Sequence, residues 1–144
     1  MKLSKALRVK NQLVLQIVKL QSRIKQNNSY DTENIPKWKV LDSYEELETL
    51  KAKLIQLKTK ISLANRPILT VIHTMEETKA DIAFMKELPT KSGVCKSSYS
   101  DTKQEFACFM NDVVVSRIIT EALDLMFSLQ DKLAEHNAKT EIDV

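Results

Sequence analysis

Between Leu47 and Met85, apolar residues recur at spacings of three and four. The series is Leu47, Leu50, Leu54, Leu57, Ile61, Ala64, Ile68, Val71, Met75, Ile82 and Met85, and Thr78 is its one polar occupant. Such spacing marks one stripe along a helix about ten turns long, and a stripe of that length needs neighbouring helices to shield it. Ser43 and Glu46 stand three apart in the capping-box arrangement, with Glu45 and Glu48 suited to the positive end of a helix dipole. Pro67 removes a hydrogen bond and clashes with the carbonyl of Leu63, at about 3 kcal/mol, yet the stripe keeps phase across it. The pattern therefore predicts two nearly collinear helices over 43–65 and 67–87, or one helix kinked at Pro67 and ended by Leu88-Pro89.

Before this stretch, residues 3–26 predict a helix with Ser4 as N-cap and Asn27-Asn28-Ser29 as its stop. Leu3, Ala6, Leu7, Leu13, Val14, Ile17, Val18, Leu20 and Ile24 fill about half of its circumference, more than one neighbouring helix covers. From 27 to 42 the periodicity stops. Asp31, Asn34 and Pro36 suit a loop, which Trp38, Val40 and Leu41 are expected to pin to the core.

After residue 89 the pattern changes in kind. Two short runs, Val94–Tyr99 and Glu105–Met110, flank Ser100-Asp101-Thr102-Lys103 and predict a β-hairpin near 94–110. A turn centred between Asp101 and Thr102 puts Cys95 opposite Cys108, on a face with Tyr99, Phe106 and Met110. The last helix is expected over 112–137, capped by Asn111 or Asp112 and continued by Ile119, Ala122, Met126, Leu129 and Leu133. The β-rich Val113-Val114-Val115 leaves room for the strand to run on, and Ala138–Val144 is expected to fray.

Composition agrees with long helices. The 144 residues hold one Gly and three Pro, too few for the turns of a sheet-rich fold. At 43% hydrophobic and 28% charged the chain resembles an ordinary globular protein with room for one domain, 1–144. No secretory signal and no membrane-length apolar run is evident, and two cysteines make no disulfide framework, so a cytoplasmic setting is expected.

Charge is uneven. Residues 1–30 carry seven Lys or Arg and no acid, whereas residues 112–144 carry three basic and seven acidic residues. Lys5, Arg8, Lys19 and Arg23 form one face of the first helix, four cations along about 27 Å that could meet a phosphate backbone. A charged outer face is also normal on an amphipathic helix, and Glu121, Asp124, Asp131 and Glu135 offer a protein counterpart. No aromatic residue lies in 1–29, and nucleic-acid binders usually supply one.

Candidate chemistry is sparse. Cys95 and Cys108, as cross-strand neighbours, are a candidate thiol–disulfide pair, against the alternative of two small buried hydrophobes. His73 and His136 have no metal-ligand spacing, and neither has a Glu three residues earlier, as di-iron helix bundles require. Gly93 alone cannot form a phosphate loop. No catalytic residue, metal ligand or cofactor is therefore expected.

The opening Met1-Lys2-Leu3-Ser4-Lys5-Ala6-Leu7 and the closing Leu129-Gln130-Asp131-Lys132-Leu133, Asn137 and Thr140-Glu141-Ile142 resemble a group of small bacterial proteins, the septicolysin-like family. Ser62-Leu63-Ala64-Asn65 adds to the likeness. This resemblance implies a helical, cytosolic, oligomeric bacterial protein with no catalytic residues to carry over. No pore-forming segment is visible.

Together these readings predict a mainly α protein, an antiparallel bundle of three to four long helices with heptad-like packing and one small β-hairpin. The expected role is a non-enzymatic interaction or scaffold module. It would bind copies of itself, or an unknown protein partner, through Leu47, Leu50, Leu54, Leu57, Ile61, Ile68, Val71 and Met75, and would not act at a membrane. The alternatives are a nucleic-acid-binding bundle using Lys5, Arg8, Lys19 and Arg23, and a redox-responsive protein using Cys95 and Cys108.

Overall fold

A computed structural model describes residues 1–96 and 103–143. Its elements run α1 (Leu3–Asn27), α2 (Val40–Ala64), a 3-10 turn (Arg66–Ile68), α3 (Leu69–Glu87), β1 (Gly93–Lys96), β2 (Lys103–Phe106) and α4 (Asp112–Lys139). The protein is mainly α with a small antiparallel hairpin, the fold class that its patterning predicts. The predicted domain of 1–144 is described here as two compact units, Met1–Pro67 with Glu135–Val144, and Ile68–Ala134.

In the first unit α1 packs along α2. Leu3 and Ala6 are buried with Leu57 and Ile61, while Ile17 and Leu20 are buried with Leu47. The start of one helix thus meets the end of the other, and the pair is antiparallel. Leu13, Ile24, Leu50 and Leu54 fill the seam between these clusters, at the three-four spacing that lets facing side chains interdigitate. Each fully buried leucine or isoleucine contributes about 1.5–3 kcal/mol by leaving water. The half-circumference of α1 exceeds this cover: Val14, Leu15 and Val18 remain exposed, Leu15 at 61%.

Helix starts differ from the sequence expectation. α2 begins at Val40, with no side-chain cap, so Ser43 sits a turn inside the helix and is buried there. The capping box is not formed, because Val40-Leu41-Asp42 continue the helix backward and bring Ser43 N–H onto the Lys39 carbonyl at 3.0 Å. Trp38 and Leu41 do not pin the preceding loop to the core. Leu41 is 79% exposed, and Trp38 is held from outside by the Arg23 guanidinium, 3.8 Å from its ring centroid. Pro67 lies in the 3-10 turn, where its missing N–H breaks no α-helical bond, so α2 and α3 are separate helices.

Residues 138–143 are held in place, contrary to the fraying expected for Ala138–Val144, of which Val144 lies outside the described residues. Ile142 is buried in the Leu3 cluster. The Leu3 N–H donates to the Thr140 carbonyl at 2.8 Å, and the Ile142 N–H donates to the Met1 carbonyl at 2.8 Å. Helix N-termini leave donors without helical partners. Here the returning segment takes one of them, and Ser4 is not the cap. His136 Nε2 lies 3.1 Å from the Ala64 carbonyl and Nδ1 lies 3.2 Å from Thr140 Oγ1. A carbonyl only accepts, so in the neutral ring Nε2–H donates to it and Nδ1 accepts from the hydroxyl. Lys2 Nζ is 3.0 Å from Glu141. Its hydrogen bond and charge hold the Glu141 carboxyl below the usual range, so this contact favours folding above that range and fades as pH falls through the lowered value.

In the second unit Asn111 caps α4 as predicted, its Oδ1 accepting the Val114 N–H at 3.0 Å. That cap commits Val113-Val114-Val115 to helix instead of strand. The hairpin register is Gly93 opposite Phe106, Val94 opposite Glu105, Cys95 opposite Gln104 and Lys96 opposite Lys103. The predicted register placed Cys95 against Cys108. The observed ladder ends at Phe106, and Gly93 opens it with a φ of 86°, a left-handed backbone that suits glycine. The predicted turn at 100–102, and Tyr99, lie outside the described residues.

The pinned closing segment generates one stability prediction. Ile142→Ala should destabilise the protein by about 2–5 kcal/mol in denaturant unfolding. An unchanged midpoint would mean that residues 140–142 do fray.

Candidate functional site

α3 turns part of its stripe inward and leaves part open. Thr78 and Met85 are buried, whereas Ile72, Met75 and Ile82 are half-buried along the helix edge. On α4, Val115 and Leu129 are buried, but Leu123 and Phe127 are exposed, Phe127 at 63%. These two edges face one groove of about 560 Å3, which Met126 and Leu133 also line. Three polar side chains reach it: Glu76, Lys79 and Gln130. The carboxylate of Glu76 also accepts a hydrogen bond from His73 Nδ1–H at 3.1 Å, one turn earlier on the exposed side of α3. The groove is apolar with a short charged rim. It can exclude water from a greasy surface, but nothing in it resembles a nucleophile beside a base.

The sequence-predicted packing residues fall into two groups. Leu47, Leu57 and Ile61 are buried, and Leu50 and Leu54 half-buried, all against α1. That part of the stripe is closed within the chain. Ile68, Val71 and Met75 belong to the second unit and are half-buried, and only Met75 lines the groove. Ile72, Leu123 and Phe127 were not among the predicted site residues. Their signal is in the sequence all the same: apolar residues extend beyond the single stripe of α4, as they do on α1.

The basic face holds together only in part. Lys5, Arg8 and Lys19 are exposed, while Arg23 is half-buried by its stacking on Trp38. The ion pairs among the described residues join Lys2 to Glu141, Glu48 to Lys51 and Glu135 to Lys139, with His73 beside Glu76, so none of the four cations is paired there. The Lys139 contact lowers the Glu135 carboxyl and the Glu48 contact raises the Lys51 ammonium. Both pairs are local to their own helices, where such contacts contribute little.

The half-buried Cys108 thiol lies 3.8 Å from the Thr90 carbonyl, to which it donates weakly. Because Cys95 pairs with Gln104 in the ladder, the cross-strand geometry that supported a switch is not formed. Among the described residues there is no cluster of three or more metal-ligating side chains, and no helix is long and apolar enough to cross a membrane.

The structure thus defines a mainly α protein in which α1 pairs with α2 and in which α3 and α4 line an open apolar groove. No protein-family model, no curated protein and no solved structure matches the chain.

The register makes a direct prediction for the thiols. Alkylation of freshly isolated protein without reductant, read by mass spectrometry, should modify both Cys95 and Cys108. A mass two hydrogens lighter with neither modified would restore the redox pair.

Proposed function

We propose that this protein is a non-enzymatic interaction module that associates with copies of itself through apolar helix surface left open in the single chain. One observation carries this reading. Every helix holds a large apolar side chain in water: Leu15 on α1, Ile55 on α2, Phe84 on α3 and Phe127 on α4, each more than half exposed, and exposed apolar patches mark interaction sites. Burial of such surface drives association without regard to direction, and the unequal charge of the helix faces then sets orientation. The resemblance to the septicolysin-like proteins supports the oligomeric part of this reading.

A nucleic-acid-binding role is the second reading, favoured by one observation. Trp38 beside Arg23 supplies an aromatic face at the end of the basic stripe, near Lys19. It would make binding fall with salt and fall again when Lys5, Arg8, Lys19 and Arg23 are neutralised together.

Light scattering at low and high salt, with and without nucleic acid, separates the two. The leading reading expects a multiple of 16.5 kDa at both salts, because salt screens charges and not apolar contact. A mass of one chain throughout, or a complex formed only with nucleic acid, would contradict it.

A further inference from the structure

The geometry points to a second copy of this chain as the occupant of the α3–α4 groove: two such faces dock about a two-fold axis, so that four helices enclose one core. This rests on the self-association proposed above and names the face that performs it. Two observations converge. First, the groove's largest apolar side chain, Phe127, stands 63% exposed at its edge. Under two-fold symmetry one aromatic enters the partner's groove while its equivalent enters this one, the arrangement of a central buried anchor.

Second, the rim is self-complementary. Glu76 and Lys79 lie one turn apart on α3 and both line the groove. In a two-fold contact every pairing of i with j is made twice, so the register proposed here, Glu76 against the partner's Lys79, gives two opposite-charge contacts at once. A partner of one charge sign would meet a like charge at one of the two.

A small apolar ligand would fit the volume, but a groove open to solvent does not enclose the roughly 70–90% of a ligand's surface that binding pockets bury.

Sedimentation equilibrium of the full chain tests the docking. Wild type should be a dimer. Phe127→Asp should weaken dimerisation at least about thirtyfold with helical circular dichroism unchanged, since the residue is exposed in the single chain. Leu15→Asp on α1 should leave the dimer intact. At low salt Glu76→Lys and Lys79→Glu should each weaken it about threefold, and the double variant should return to within about twofold of wild type. A dimer unaffected by Phe127→Asp would overturn the groove docking and leave self-association standing. Wild type that stays monomeric at high concentration would overturn both. A trimer or larger assembly would overturn the two-fold pairing. If Phe127→Asp loses helicity, the charge series decides alone, and a double variant no tighter than the singles overturns the register.

Discussion

A helix whose apolar positions wrap half of its circumference cannot be shielded by one neighbour. That constraint governs both units of this protein. In the first, α2 covers Leu3, Ala6, Ile17 and Leu20 of α1, and the same contact leaves Val14, Leu15 and Val18 in water. In the second, Thr78, Met85, Val115 and Leu129 are buried, and the adjoining apolar edges of α3 and α4 stay open as a groove. Paired helices fold, but they do not finish the burial that their sequences begin.

The first unit is completed by residues from the other end of the chain. Ile142 fills the end of the α1–α2 seam, and the Thr140 carbonyl accepts the first donor of α1. His136 adds a link from α4 to the carbonyl that ends α2. A long helical chain gains from such closure, because a two-helix seam has frayed ends where buried leucines meet water. The charged contact of Lys2 with Glu141 sits outside this seam and orients it more than it stabilises it.

Much of the fold was legible in the sequence because periodicity reports burial directly. The stripe from Leu47 to Ile61 is buried or half-buried where spacing placed it, and the excess apolar width of α1 is real. What spacing could not reveal has physical reasons. Ser43 and Glu46 match a capping box, but helix-compatible residues upstream moved the start of α2 to Val40. Trp38 looked like a core anchor because it is apolar, whereas the guanidinium of Arg23 offered a partner at the surface. Ile142 looked frayed because a single isoleucine has no period to detect, and its burial depends on a backbone pairing with Met1, 141 residues away. Strand register was least accessible. Four-residue strands carry too few side chains to fix it, and the glycine at position 93 sets the end of the ladder instead. The groove was half visible: Met75, Met126 and Leu133 lay on predicted stripes, while Phe127 and Leu123 widened α4 beyond one.

If open apolar surface is what this protein uses, its association must carry the heat-capacity signature of dehydrating such surface. Calorimetric dilution at several temperatures measures that quantity. Burial of about 1600 Å2, roughly two-thirds apolar, predicts a change near −0.3 kcal/mol/K for forming the dimer. A change close to zero, or no heat of dissociation on dilution, would contradict the account.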